Sequence, residues 1–319
     1  MRGLSRRSVR AVLALGFALG AGACDGSEVT VEADAASDLG GDVTAPDATT
    51  PDAETPGPAL PMSRLVVLDQ LSFAPEEAPG VAAGFDLDHQ ASDGTEPEAC
   101  GEADYLSPQG TPGVDNKVAG LLPLFAVAGI GAAEGLLQST IEEGGILLMM
   151  QVDGIDDLED DDAVTVTIRS GQGKPLLATD GLLLPGQTFH LRPDSPESVA
   201  QTGRIEHGVL TAGPVDSTLR VRVLGLDYEL PVYGVYIRGR LTEDGGLADG
   251  VLGAGIAVED LLTIGHTAAQ DDAGVLKSME LLFSDAADLW PGADGECHYV
   301  SAALAFSAVS AYLFDDESP

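Results

Sequence analysis

Between residues 219 and 241 apolar and polar side chains alternate, and the alternation twice changes phase at a glycine. No other feature narrows the fold as much. Leu219, Val221 and Val223 alternate with Arg220 and Arg222. After Gly225 the apolar face is Leu226, Tyr228, Leu230 and Val232; after Gly234 it is Val235, Ile237 and Leu241, opposite Arg238 and Arg240. A period of two is the signature of a half-buried strand. A one-residue slip turns every side chain to the wrong face, so each slip needs a turn or a bulge. The stretch therefore reads as a three-stranded meander or as long bent strands. Its four arginines share a polar face and are expected to pair with acidic neighbours.

Other segments extend this reading. Residues 64–73 alternate through Leu65, Val67, Asp69, Leu71 and Phe73, and read as a strand. Strands are also expected at 145–152, 163–169, 182–186, 204–210 and 247–256, with a turn at Asp244-Gly245-Gly246. The acidic run 156–162 reads as a solvated loop between strands. Val118, Leu121, Leu122 and Phe125, then Leu136, Leu137 and Ile141, predict two consecutive helices divided near Gly129 and Gly131. Two more are expected near 258–268 and 272–285. Residues 299–306 fit a helix by composition, while strand pairing with 64–73 would join the two ends. The expected class is α+β: a mostly antiparallel β-sheet or sandwich with helices packed on it.

The first residues read as an address. Arg2, Arg6, Arg7 and Arg10 precede an uncharged run, 11–23, that is too short to span a bilayer at about 20 residues. The run ends Leu19-Gly20-Ala21-Gly22-Ala23-Cys24. This resembles the lipobox of bacterial lipoprotein precursors. The resemblance implies that Cys24 is acylated on sulfur and becomes the new N-terminus, anchoring the chain to a lipid bilayer. Ala21 stands where that motif carries leucine, which leaves ordinary signal-peptidase cleavage as the alternative. Arg6-Arg7 also resembles a twin-arginine signal, with Sec export the expectation. The expected organisation is a signal peptide over 1–23, lipidated Cys24 with a disordered acidic tether over 24–62, and one β-rich domain over 63–319. Residues 25–62 hold nine acidic residues and no Lys or Arg, a self-repelling composition that spans on the order of 35 Å as a flexible coil. The plan of 1–62 is similar to that of secreted Gram-negative lipoproteins with Asp/Ala/Thr/Pro tethers; 63–319 resembles no named family.

Charge excludes one class of partner. Against 15 Lys and Arg stand 52 Asp and Glu, a net charge of -37, and such a chain is repelled by nucleic-acid phosphates. A 44 % apolar content still suffices for a core. Cys100 and Cys297 are an even pair in an exported chain and are expected to form a disulfide.

The candidate chemistry lies in 84–116. Asp86, Asp88, Asp93, Asp104 and Asp115 could supply the oxygens of a structural Ca²⁺, although the spacing is not that of an EF-hand. An unmetallated, hydrogen-bonded loop uses the same residues. Asp288 and Asp294 could join the site, and Asn116 is placed to cap the helix after it. Phosphate-loop, dinucleotide-binding, nucleophile-elbow and zincin motifs fail on their key positions. The five histidines, His89, His190, His207, His266 and His298, are scattered singly. The expected function is therefore a non-enzymatic, lipid-anchored domain of the cell envelope, at the outer membrane, cell surface or periplasmic face. Its expected partner is an envelope protein. A carrier of a lipid or other small apolar ligand is the second expectation, and a hydrolase using acidic residues the third.

Overall fold

The computed structural model describes residues 61–319 except 97–99, 128–132, 194–195, 224–225, 270–272 and 315–319. Cys24 and the expected signal peptide lie outside the described residues. The chain begins with a long strand, β1 (Met62–Phe73), and a small hairpin, β2 (Glu76–Ala78) and β3 (Val81–Ala82). The irregular segment 84–116 leads into helices α1 (Lys117–Val127) and α2 (Ala133–Glu142). Strands β4 (Leu148–Ile155), β5 (Asp160–Gln172), β6 (Gln187–Leu191), β7 (Ser198–Glu206), β8 (Val209–Val223), β9 (Leu226–Leu241) and β10 (Leu247–Ala257) follow. Helices α3 (Val258–Ala269) and α4 (Ala273–Asp285) precede the last strand, β11 (Tyr299–Leu313).

The expected sheet or sandwich is instead a closed barrel. Eight strands run β1-β4-β5-β7-β8-β9-β10-β11, and β11 returns to pair antiparallel with β1. Leu71 stands opposite Phe306 at this seam, so the first and last strands pair as one of the two readings of 299–306 anticipated. Closure leaves no exposed barrel edge. β6 sits outside the ring, antiparallel to the end of β5 and parallel to the end of β11.

Eight strands leave an interior just wide enough for side chains to fill. Met150, Val166, Leu210, Ile237, Leu252 and Phe306 belong to one continuous core, each no more than 5 % exposed. The helix α2 packs on this interior. It contacts both β1 and β8, which are four strands apart around the ring in either direction, so it spans the space between opposite walls, with its Gly135 exposed. Its Ile141, fully buried, and Leu137 pack on the strand core, and Gln138 Nε2 donates to the Asp69 carbonyl. Leu121 of α1, Leu261 of α3 and Leu282 of α4 pack with Val300 of β11 in a separate, smaller cluster.

Local differences from the sequence reading have physical causes. The strand expected over 204–210 is a hairpin: His207 and Gly208 both adopt positive φ (52° and 72°), as a two-residue turn matching strand twist requires. The expected loop 156–162 is shorter, because Asp160, Asp161 and Asp162 already belong to β5, and Asp161 accepts the N–H groups of Asp156 and Ala163. The strand expected at 182–186 amounts to a single bridge, Leu177 to Leu183, with β6 starting at Gln187. In 219–241 the second phase slip is a bulge inside β9, so long bent strands describe the region; residues 224–225 are not described. Of the four arginines, Arg220 pairs with Glu229, Arg240 with Asp249, and Arg238 lies over the Phe85 ring. Among the described residues no helix is long and apolar enough to cross a membrane.

Candidate functional site

The segment 84–116 lies against the outside of the barrel, over β9, β10 and β11. Asn116 fastens it. Its Nδ2 donates to the carbonyls of Ala74 and Ala83 (3.0 and 2.9 Å), and its Oδ1 accepts the N–H of Ala303 in β11 (3.1 Å). This is a tertiary clamp rather than the expected helix cap. The cap comes from β11 instead: Ser301 Oγ accepts the Lys117 N–H at 2.7 Å and donates to buried Asp288.

Asp115, only 3 % exposed, organises the acidic part of the loop. Its Oδ2 accepts the N–H of Leu87 (2.6 Å) and that of Asp88 (3.4 Å). Burial, reinforced by the charges of Asp88, Asp104 and Asp288, pushes its carboxyl up to about 9. It is therefore protonated at neutral pH and hydrogen-bonds Asp104, which accepts the N–H of Ser92 at 2.6 Å. Burial raises Asp104 and Asp88 as well. One oxygen each of Asp86, Asp88 and Asp115 lie within 4.8 Å of one another. Of the five expected ligands, then, Asp86, Asp88 and Asp115 converge and Asp104 adjoins them. Asp93 stands apart, because its exposed carboxylate accepts Thr95 Oγ1 and N–H in its own turn. Asp288, raised to about 7 chiefly by burial, uses both oxygens on Ser301. Asp294 pairs with His298 at the surface.

Cys100 and Cys297 are bonded, with Cα atoms 5.9 Å apart and a sequence separation of 197. The bond ties this loop to the turn that follows α4.

Beside the acidic group lies an aromatic groove that the sequence reading did not assemble. The sole tryptophan, Trp290, rests edge-to-face on Tyr299 (centroids 5.3 Å apart), and Tyr299 on Tyr233 (5.2 Å). Alongside, Phe85 stacks on Tyr236 at 5.6 Å, and the Tyr236 hydroxyl lies 3.4 Å from His89 Nε2. The barrel wall makes room for these rings with glycine. Leu252, Ala254 and Ile256 of β10 pack on the core, so Gly253 and Gly255 face outward. A Cβ on Gly253 would come within 2.6 Å of Phe85; one on Gly255 would come within 2.6 Å of Trp290. Both rings press against a stretch of strand that carries no side chain on this face. The groove between them is open, about 480 Å³, and is bordered by Asp88, His89, Asp216, Tyr233, Trp290 and Tyr299. That volume falls in the range of ligand sites, roughly 300–1,000 Å³. The missed signal was the pair of outward glycines two residues apart in an otherwise apolar strand, which leaves space for something flat.

Compared with protein-family models, with curated proteins and with solved structures, the chain matches none of them.

Proposed function

We propose that this chain is an exported, lipid-anchored protein whose barrel is a non-enzymatic binding domain of the cell envelope. Cys24 supplies the anchor, the acidic segment 24–62 holds the domain away from the bilayer, and the ligand is met on the outer wall. One observation carries the reading. The barrel interior is filled by side chains, with Ile141 and Leu137 of α2 packed on them, whereas the outer wall presents an open aromatic groove of ligand size. A filled lumen speaks against apolar cargo held inside, so the carrier reading ranks below surface binding. The two carboxyls pushed furthest up, Asp115 and Asp288, have their oxygens turned to groups of the loop and of β11, which favours a structural role over acid catalysis.

Growth with an alkyne fatty acid tests the anchor. Label is expected on the wild-type chain and absent from Cys24→Ser, which should move to the soluble envelope fraction. An unlabelled wild-type chain in the soluble fraction contradicts it.

The convergence of Asp86, Asp88 and Asp115 favours a second reading of the loop, as the seat of a structural Ca²⁺. Bound Ca²⁺ would raise the melting temperature with the logarithm of its concentration above the dissociation constant, and Asp86→Asn should remove that gain. A melting temperature indifferent to millimolar Ca²⁺ assigns the loop to hydrogen bonding alone.

A further inference from the structure

We propose that the aromatic groove binds a basic peptide segment of a protein partner, seating an Arg or Lys side chain between the rings of Trp290, Tyr233 and Tyr299 and the carboxylates of Asp216 and Asp88. This names the partner chemistry of the binding domain proposed above and rests on that reading. The charged side chains bordering the groove are both acidic, and His89 is its remaining titratable neighbour apart from the tyrosines. Residues 63–319 carry 43 acidic and 11 basic side chains, a field that steers a basic partner towards this surface and repels an acidic one. Aromatic faces attract cations, guanidinium above all. The protein already uses this attraction next door, where Arg238 lies 5.3 Å from the centre of the Phe85 ring.

The groove is also built rather than incidental. Trp290, which borders the groove, holds positive φ, 51°, a conformation that a bulky side chain adopts only when its surroundings impose it. Asp216 is fixed at the rim, its Oδ1 accepting the Gly234 N–H at 2.9 Å. Openness decides the occupant, because a groove that encloses nothing suits one side chain of an extended segment better than a free small molecule.

Trp290 is the only tryptophan in the chain, so its emission reports this groove directly. The exported chain carrying Cys24→Ser is titrated with a short Arg/Gly peptide at low salt. Saturable quenching is expected, weakened by added salt. Asp216→Asn keeps an oxygen for the Gly234 N–H and should weaken binding by up to about fivefold, as expected for one exposed charge pair. Tyr233→Ala should weaken it comparably, and unchanged melting temperatures would show that both variants fold. Three results would overturn the proposal: no saturable quenching, equal quenching by a Glu/Gly peptide, or Asp216→Asn binding as tightly as wild type. Quenching by a neutral oligosaccharide but not by the basic peptide would also end it, while leaving a binding domain standing. The anchor is read separately by the fatty-acid label.

Discussion

Replacing Gly255 by alanine tests whether the aromatic groove is packed on the barrel as described. The added methyl would meet Trp290 ring atoms at 2.6 and 2.9 Å and Leu289 Cδ1 at 3.0 Å. Neither neighbour yields easily. Leu289 is fully buried, and the Asp288 and Leu289 N–H groups are both bonded to the Tyr299 carbonyl (2.9 and 3.1 Å), which fixes the backbone that carries the indole. Forcing one methyl into such a contact costs about 1–3 kcal/mol. Removing glycine's freedom from the unfolded chain returns about 0.4–1 kcal/mol. The net expectation is a loss of about 1–2 kcal/mol, with Trp290 emission shifted as the indole is lifted off β10. Gly135 in α2 is the matched control: it is exposed, nothing lies within 4 Å of its added Cβ, and alanine there should gain roughly 0.5–1 kcal/mol. Urea unfolding followed by far-ultraviolet circular dichroism and by Trp290 fluorescence compares the two. A Gly255→Ala chain as stable as wild type, with unshifted emission, would refute the packing argument. So would a loss of equal size at Gly135.

Three other outcomes follow from the same structure. Asp115 titrates near 9 in the folded chain against an ordinary 3.8, so through that window the native state holds one proton more than the unfolded state; stability is greatest at the acid end and is lost as pH rises, by about 1 kcal/mol per pH unit, with buried Asp288 adding to the slope up to about pH 7. Urea midpoints measured with chelator from pH 5 to 8 should fall for wild type and flatten in Asp115→Asn, and a wild-type midpoint that rises over this range contradicts the assignment. Opening the Cys100–Cys297 loop with a double serine variant should cost up to about 5 kcal/mol, the chain-entropy ceiling for a loop of this length, and an unchanged urea midpoint would count against it. Ile141→Ala removes the side chain with which α2 packs on the strand core and should cost about 2–5 kcal/mol by the same urea measurement, whereas a loss below 1 kcal/mol would place α2 outside the core.

What could be read in the sequence was mostly local. The alternation in 219–241 announces β8 and β9, and spaced leucines announce α1 and α2, because each face is buried along its own length. Barrel closure is a different kind of fact. It depends on β5 pairing with β7 and β11 with β1, contacts between distant strands that have the same alternation in an open sheet. The turn at His207 and Gly208 was hidden because Ile205 and Val209 keep one period of two across it, although the buried face passes from Ile205 to Leu210. At the candidate site, Asp86, Asp88, Asp104 and Asp115 were legible as a local cluster of carboxylates. Which of them would be buried was not, since Asp115 owes its burial to the docking of Asn116 on Ala303, 187 positions away. The groove was illegible for the same reason: His89, Tyr233, Trp290 and Tyr299 come from the loop, β9, the turn after α4 and β11.

Native mass spectrometry of the exported Cys24→Ser chain, purified in an oxidising compartment without chelator, tests most directly the claim that a filled barrel, its outer loop tied down by a disulfide, meets its ligand on the outside. A mass 2 Da below the reduced chain is predicted for the Cys100–Cys297 bond, together with no lipid retained through gentle desolvation. A lipid that co-purifies in stoichiometric amount, and that Ile141→Ala alters, would show that the lumen holds cargo and would contradict the account.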